Sequence, residues 1–334
     1  MQRNRHTLND LKAYILVLLT VVTAILLLPN EVQSSQPIRI NSFKIAAPAS
    51  DLIIRGGIVI AGTNAGIVCS YDLKNGTLLK QIKLPEILDF MGDPYAPSIL
   101  SIDYLEDRYL IVAEGGRGSR NIFLYTGDVL EEILQDKSDL LIRKAKFIDH
   151  DRILLALVSN ELILCKMRGG EEIYRRQVSP SLFSDFDVGD GKSTVAVACE
   201  SGSIFLLDVA TGSEISELQG GNKDLVYDLE YSKGKIITGG KDRLCALYDV
   251  DTGSFETYQA EFLVFAVALN PSASWGAFTA DESGTVSIIS VIDRSITATI
   301  PGGGAPMNNL RFIDDTTLLC SSESAEITIW RVGK

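Results

Sequence analysis

The sequence predicts an all-β protein, a seven-bladed propeller built from four-stranded blades. A strand-like segment recurs along the chain with a period close to 41 residues. Each period contains short runs of alternating polarity, separated by glycine-rich turns every 8 to 12 residues. No amphipathic helical stripe follows residue 35. These three observations are typical of a repeat architecture made of strands.

The N-terminal segment, residues 1–34, differs in composition from the rest of the chain. Arg3 and Arg5 precede an uncharged apolar run of 16 residues, "AYILVLLTVVTAILLL" at 13–28. This arrangement is typical of an export signal, which we expect to form an apolar helix. Val32 and Ser34 have the spacing that signal peptidase favours, so we expect cleavage after Ser34 or, alternatively, an uncleaved anchor in the inner membrane. Both alternatives place the propeller, residues 37–334, in the periplasm.

Seven segments mark the repeat, because each ends at an equivalent position. They are "GIVCSYD", "NIFLYT", "ELILCK", "SIFLLD", "LCALYD", "TVSIIS" and "EITIWR", which end at Asp72, Thr126, Lys166, Asp208, Asp249, Ser290 and Arg331. The spacings between successive ends are 54, 40, 42, 41, 41 and 41 residues. Four strands in about 41 residues correspond to one propeller blade, so the seven marks predict seven blades.

The seventh blade lacks an outer strand, because the chain ends at Lys334, three residues after the seventh mark. An unpaired strand edge is a liability that proteins cover. The strand-like segment "PIRINSFKIAA", residues 37–47, precedes the first strand of blade one, "DLIIR". We therefore predict that this N-terminal strand pairs with "EITIWRV" and closes the ring.

The repeat length and the turns "DLKNG", "DVATG" and "DVDTG" resemble those of the WD40-type β-propellers over residues 37–334. The repeats are degenerate. Only "IWR" near the C-terminus is similar to the Trp-Asp pair of the family, and the Gly-His dipeptide is absent. The hydrogen-bonded Asp-His-Ser-Trp set is absent as well. The resemblance therefore implies the fold more firmly than a subfamily.

A narrower resemblance rests on the export signal together with four segments. These are "KLPEILDFMGDPY", "KAKFIDHDRILLALVSNELIL", "GGKDRLCALYD" and "EFLVFAVALNPSASWGAF". In this combination the chain is similar to the NapL-type propeller, an accessory protein of periplasmic nitrate reductase systems. The resemblance implies a role in the assembly or maturation of that molybdenum enzyme, or in electron delivery to it, with no chemistry of its own.

Residues that catalysis requires are few. Of the two histidines, His6 lies in the export segment and His150 in the turn "FIDHDR", where we expect a solvated side chain. The glycine-rich "EGGRGSR", residues 114–120, lacks the Lys-Ser/Thr end of a phosphate-binding loop, so we interpret it as a turn. With only Trp275 and Trp330, the chain also lacks the repeated tryptophans of quinone-dependent propeller dehydrogenases. We expect a protein that is not an enzyme and needs no cofactor.

The five cysteines occur singly in apolar segments, without a CxxC motif or a Cys/His cluster. They predict buried thiols and no metal site, although one disulfide is compatible with an exported protein. The formal net charge of −12 is spread along the chain without a basic block, which excludes a nucleic-acid backbone as a favoured partner.

One spacing exceeds the period by about 13 residues and identifies an insert, "PEILDFMGDPYAP" at 85–97, in the connection into blade two. In a four-stranded blade, this connection and the turn between strands two and three lie on the same face of the ring. The insert is therefore expected beside the 114–120 turn. Exposed aromatic residues, Met and Arg are enriched in interface cores. The predicted partner-binding residues are Phe90, Met91, Asp93, Tyr95, Arg117 and Arg120. The alternative is that the insert packs on the ring as a structural cover.

Four acidic residues, Asp185, Asp224, Asp281 and Glu282, are expected in other loops of this face. We include Asp185 among the partner-binding candidates, with simple solvation of these carboxylates as the alternative. The sequence thus predicts an exported, monomeric, non-catalytic propeller that binds protein partners, including nitrate reductase or electron-transfer components. The alternatives are an exported enzyme or small-ligand binder that uses the central funnel, and an envelope scaffold.

Overall fold

The computed structural model describes residues 36–134 and 140–333, so the predicted export segment and its helix lie outside the described residues. Within these ranges the chain forms seven four-stranded antiparallel sheets and one two-stranded sheet. The described part contains no helix that has both the length and the apolar character needed to cross a membrane. The protein is therefore an all-β seven-bladed propeller with four-stranded blades.

The strands follow one another in chain order around the ring. A first strand, β1 (Ile38–Lys44), precedes blade one, which contains β2 (Ala49–Arg55), β3 (Ile58–Thr63), β4 (Ile67–Asp72) and β5 (Leu78–Lys83). The small sheet of β6 (Ile87–Leu88) and β7 (Pro94–Tyr95) comes next. Blade two contains β8 (Ile99–Leu105), β9 (Arg108–Glu114), β10 (Arg120–Thr126) and β11 (Val129–Ile133).

The later blades repeat this arrangement. Blade three contains β12 (Ile142–Phe147), β13 (Arg152–Leu157), β14 (Glu161–Lys166) and β15 (Glu172–Gln177). Blade four contains β16 (Phe183–Val188), β17 (Thr194–Cys199), β18 (Ile204–Asp208) and β19 (Glu214–Leu218). Blade five contains β20 (Val226–Ser232), β21 (Lys235–Gly240), β22 (Leu244–Asp249) and β23 (Phe255–Gln259).

Blade six contains β24 (Val267–Leu269), β25 (Trp275–Thr279), β26 (Val286–Ser290) and β27 (Ser295–Ile300). Blade seven contains β28 (Met307–Phe312), β29 (Thr317–Ser322) and β30 (Glu326–Arg331). The third strands of the seven blades end at the residues marked by the sequence period, from Asp72 in blade one to Arg331 in blade seven. The blade assignment made from the period is confirmed.

The turn after the third strand shows why the Asp and Gly residues recur. In blades one, four and five, the terminal Asp carboxylate accepts backbone hydrogen bonds within the turn, as Asp249 does from Thr252 N at 3.0 Å. The chain then reverses at Gly76, Gly212 and Gly253, each with φ of 69°. A positive φ is accessible to glycine without strain, so the turn requires this residue.

Apolar side chains fill the spaces between neighbouring blades. The cluster between blades two and three combines Leu110 and Ile122 with Ile142, Ile153 and Ile163, all fully or nearly fully buried. Comparable clusters join the other neighbouring blades in the described part of the chain. Because each sheet buries apolar residues on both faces, the core consists of wedges between blades and leaves the central channel to polar side chains.

Strand β1 lies antiparallel to β30 at the outer edge of blade seven, with Ile38 opposite Arg331 and Lys44 opposite Glu326. The same segment also contacts blade one, because the Phe43 and Tyr71 rings lie 5.7 Å apart and Ala46 N donates to Tyr71 Oη at 3.0 Å.

Candidate partner-binding face and central channel

The insert at 85–97 forms a small hairpin in which Ile87 pairs with Tyr95 and Leu88 with Pro94. The Asp89 carboxylate holds its tip, since one oxygen accepts hydrogen bonds from Met91 N at 2.8 Å and Asp93 N at 2.9 Å. Ile87 is buried at the base, whereas the Phe90 and Met91 side chains are 82% and 87% exposed. The hairpin is therefore anchored at its base and presents an apolar tip to solvent.

The turn between β9 and β10 lies beside this hairpin, as its position in the blade predicts. A short 3₁₀ helix spans Gly116–Gly118. A Cβ atom built on Gly116 would lie 3.4 Å from the Leu88 carbonyl oxygen, and one built on Gly118 would lie 4.0 Å from Phe90 Cζ. Small residues thus allow the turn to approach the hairpin closely.

The two arginines of this turn differ in their surroundings. Arg117 is exposed at the turn, with a left-handed φ of 56°. No carboxylate of the described residues lies within ion-pair distance of it. Arg120 is half-buried and donates to the carbonyl oxygens of Ser119 at 2.8 Å and Gly118 at 3.2 Å. Arg117 is thus available to a partner, whereas Arg120 holds the turn in shape.

The sequence places Asp185 in a loop of this face, and that placement is wrong. Asp185 belongs to the inner strand β16, is buried, and points into the central channel. The error has a physical reason. A bulge between Phe183 and Asp185 interrupts the pairing at the start of β16, so the first residues of this strand read in the sequence as a continuation of the preceding polar loop. Of the other acidic candidates, Asp224 lies 3.6 Å from Lys241 Nζ, and Asp281 accepts backbone hydrogen bonds from Ser283 and Thr285.

The channel is lined by polar side chains at equivalent positions of the inner strands. Six inner strands contain a bulge near their start, and the residues after it are Asp51, Ser101, Lys144, Asp185, Asp228 and Asn309. We call these residues the first ring. Two positions further along the same strands lie Ile53, Asp103, Lys146, Asp187, Glu230 and Arg311, which we call the second ring.

Carboxylates of both rings connect blades one, two, four and five to the blade that follows each of them. In the first ring, Asp51 accepts from Ile102 N at 2.7 Å and Asp228 from Val267 N at 2.9 Å. In the second ring, Glu230 accepts from Leu269 N at 3.0 Å. The carboxylates of Asp103, Asp185 and Asp187 likewise accept hydrogen bonds from the backbone N–H groups of Phe147, Leu229 and Tyr231, respectively. A backbone N–H that has no partner within its own sheet is thereby satisfied by the preceding blade.

Blade three carries lysines at both ring positions. Lys144 Nζ donates to Asp185 Oδ1 at 2.6 Å, and Lys146 Nζ donates to an Asp187 carboxylate oxygen. Burial alone would raise the pKa of Asp187, but the ammonium groups of Lys146 and Lys144 lower this pKa below its ordinary value. The Lys146 pair therefore keeps Asp187 ionised inside the channel.

Glu230 shows the opposite behaviour. Burial raises the pKa of its carboxyl group to about 7, and the neighbouring charge of Asp187 adds to this effect, although Arg311 opposes it. Among the described residues, no basic group lies within 4 Å of the Glu230 carboxylate. The guanidinium of Arg311 pairs instead with Asp228, at 3.5 Å. Its charge therefore changes near neutral pH.

The channel contains two chambers, and Asp51, Lys144 and Arg311 line both of them. A chamber of about 110 Å³ opens toward the face that carries the hairpin, and Arg143, Tyr227 and Phe265 lie at its mouth. A larger chamber of about 630 Å³ opens on the opposite face. We call these the upper and lower chambers.

Apart from Asp185, which was assigned to a loop, sequence reasoning did not find the ring residues, although a signal was present. Lys144 and Asp185 lie one repeat apart, as do Asp187 and Glu230, so charged residues recur at the repeat period inside apolar strands. Aligning the first strands of the blades, in addition to the third strands, would have shown this recurrence.

The other expectations about chemistry concern single residues. His150 is exposed in a turn, where its Nδ1 lies 3.3 Å from a Glu106 carboxylate oxygen. All five cysteines are buried, in agreement with the prediction of buried side chains. The described residues contain no group of three or more His, Cys, Asp or Glu side chains placed to hold a metal ion.

Comparison with known proteins supports the fold. No model of a known protein family matches the sequence, and no curated protein matches it. The structure is similar to the β-propeller domain of Cps50 (Swd1) from Myceliophteria thermophila, with a TM-score of 0.70 and 12% identity, over 89% of this chain and 99% of that chain. It is also similar to the computationally designed Ika8 protein, with a TM-score of 0.65 and 15% identity, over 86% of this chain and 98% of that chain. At these identities the similarity concerns the β-propeller fold alone.

Proposed function

We propose that this protein is an exported, non-catalytic propeller that binds a protein partner through the 85–97 hairpin and the adjacent turn. The observation that carries the proposal is the exposure of Phe90 and Met91 at the tip of a hairpin whose base is fixed. Large apolar side chains exposed together on a rigid support mark interaction sites. The unpaired Arg117 beside them adds a residue type that interfaces favour.

The hairpin also argues against a purely structural role for the insert. A structural cover would bury its apolar residues against the ring, as Ile87 does. Here Phe90 and Met91 at the tip are the most exposed large apolar residues of the insert, and the Asp89 carboxylate holds the tip in shape. Their exposure stabilises nothing within the monomer, so it is explained by a contact with another molecule.

The finer proposals come from the sequence. The apolar N-terminal segment supports export to the periplasm, with cleavage after Ser34 or retention as an anchor. The resemblance to NapL-type propellers supports an accessory role for periplasmic nitrate reductase, as an assembly or electron-delivery factor that binds a subunit of that system. A propeller offers a rigid ring of loops for such binding and needs no catalytic residues for it.

The test is a pull-down from the native envelope with the tagged mature protein, followed by binding measurements with the purified candidate subunit. We expect the Phe90→Ala, Met91→Ala double variant to bind at least about tenfold more weakly, because each residue presents large apolar area at the proposed contact. Since both side chains are exposed, the variant should unfold at the same temperature as the parent protein.

Ile292→Ala is the matched control, because Ile292 is also an exposed apolar side chain, at 81%, but lies in the turn after β26 on the opposite face. This control should retain the partner. Equal retention by the double variant would overturn the proposed interface. Capture of a partner unrelated to nitrate reduction through the same hairpin would keep the interface and reject the accessory role.

A further inference from the structure

The lower chamber is a second concave site, separate from the partner-binding face. Its volume of about 630 Å³ lies within the range of small-molecule sites, which is about 300–1,000 Å³. It is bounded by the ends of the inner strands and by the turns that follow them, such as Arg55 at the end of β2 and Lys192 after β16. The hairpin precedes an inner strand and therefore lies at the other end of the channel.

One wall of the lower chamber carries cationic groups with incomplete partners. Lys192 Nζ donates to the carbonyl oxygens of Phe147 at 2.8 Å and Ile148 at 3.1 Å. No carboxylate of the described residues lies within 4 Å of this ammonium, which keeps one N–H donor unused. Burial lowers the pKa of Lys192; the charge of Asp103 opposes this effect, whereas the nearby charges of Arg55 and Lys146 add to it.

Arg55 is the second member of this wall. Its guanidinium lies 3.7 Å from Asp103, which is too long for a strong hydrogen bond, and half of its side chain is exposed. The Asp103 carboxylate already accepts the backbone hydrogen bond from Phe147 N. Arg55 and Lys192 thus present donors to the chamber that no protein acceptor fully uses.

Six carboxylates also line the chamber, those of Asp51, Asp103, Glu106, Asp187, Asp190 and Glu230, and apolar side chains lie among them. Ile53, Leu269 and Phe312 are buried side chains that line the chamber, and Val188 and Pro271 extend the same surface toward the opening. Arg55 and Lys192, together with these apolar side chains, favour a molecule that has both an anionic group and an apolar body.

We propose that the lower chamber binds a small organic anion whose anionic group contacts Lys192 and Arg55 and whose apolar body packs against Ile53, Leu269 and Phe312. A carboxylate, a sulfonate or a phosphate monoester would supply the same chemistry. This chamber lies at the end of the channel opposite the hairpin, so the proposed site is distinct from the partner-binding face.

Glu230 makes this binding depend on pH. It lines the same chamber, and its charge is set by the groups that face it. These are Asp228 on its own strand, Asp187 on β16, Arg311 on β28, Lys144 and Lys146 on β12, Asp51 on β2 and Asp103 on β8. The adjacent β24 presents no titratable residue. Ionisation of Glu230 adds a negative charge to the chamber and weakens the binding of an anion.

The experiment uses 8-anilinonaphthalene-1-sulfonate as the probe, because it joins an aromatic body to one sulfonate. Fluorescence titration of the folded protein should show saturable binding. We expect Lys192→Gln to raise the Kd at least fivefold, and Arg55→Gln to raise it in the same direction. Lys241→Gln, a lysine change on the other face, is the matched control and should leave the Kd unchanged.

Three results would overturn the proposal: no saturable binding, an unchanged Kd in Lys192→Gln, or loss of binding in the Phe90→Ala, Met91→Ala double variant. The last result would place the probe on the hairpin. As a second measurement, the Kd of the parent protein should rise between pH 5.5 and 8.5, and this rise should be absent in Glu230→Gln. The same rise in Glu230→Gln would remove Glu230 from the site.

Discussion

Asp185 contacts both neighbouring blades at once. One carboxylate oxygen accepts from Lys144 Nζ of blade three, and the other accepts from Leu229 N of blade five. Burial by itself would lower the pKa of Lys144, but the nearby charges of Asp185, Asp51 and Asp187 raise this pKa, so the lysine stays protonated. The pair therefore acts as a charged link through the wall of the channel.

Removing one member of this link should be costly. We expect Lys144→Met to lower the free energy of unfolding by about 3 kcal/mol, because Asp185 would remain buried without its cation. Lys241→Met is the control, since Lys241 and Asp224 are about half exposed and such pairs contribute about 0–1 kcal/mol. Urea unfolding would measure both, and equal effects would contradict the role of burial.

Glu230 predicts a pH dependence of stability. In the unfolded chain its carboxyl group titrates near its ordinary pKa of about 4.3, whereas burial raises the pKa to about 7 in the folded protein. The favourable contribution of Glu230 to the free energy of unfolding is fully present below pH 4, where the carboxyl group is protonated in both the folded and the unfolded protein. This contribution is lost as the pH rises through about 7.

Glu230→Gln removes this titration while keeping an acceptor for Leu269 N. The variant should therefore gain stability relative to the parent protein when the pH changes from 5 to 8. Other carboxylates titrate in both proteins and cancel in the difference. Urea unfolding midpoints of the variant and the parent protein at pH 5 and pH 8 test this prediction. If the variant and the parent differ by the same amount at the two pH values, Glu230 does not titrate in this range.

Strand β1 is the element on which the closure prediction depends. It covers the edge of β30, and Ile45 beyond it joins the cluster of Leu52, Leu319 and Ile327 between blades seven and one. We propose that this strand closes the ring. Deleting residues 37–46 should expose the edge of β30 together with part of that cluster, and should lower the unfolding temperature measured by circular dichroism.

A synthetic peptide of residues 37–46, added to the shortened protein, should restore part of the lost stability. A scrambled peptide of the same composition serves as its control. An unchanged unfolding temperature after the deletion would reject closure by this strand.

Carboxylates and lysines of the channel bond several neighbouring blades to one another, such as blades one and two, three and four, and four and five. The formal charge of −12 also opposes self-association at low ionic strength. We therefore expect the mature protein to be a monomer in sedimentation equilibrium at micromolar concentration. A stable dimer would show that an outer blade face is an interface.

The location of the partner-binding candidates could be predicted from the sequence, but their exposure and contacts could not. The insert was visible because it breaks a regular period, and the blade order placed it beside the 114–120 turn. Only the tertiary structure shows that Phe90 and Met91 are exposed and that Arg117 and Arg120 have different surroundings. These properties depend on how the hairpin packs against that turn.

The blade number and the ends of the third strands follow from the chain alone, because each blade is a local unit whose turns need Asp and Gly at set positions. The arrangement of side chains in the channel cannot be derived from the chain alone. Seven inner strands meet there only after the ring has formed, so the partners of Asp185, Glu230 and Lys144 come from other blades, and their charges depend on burial that no single repeat possesses.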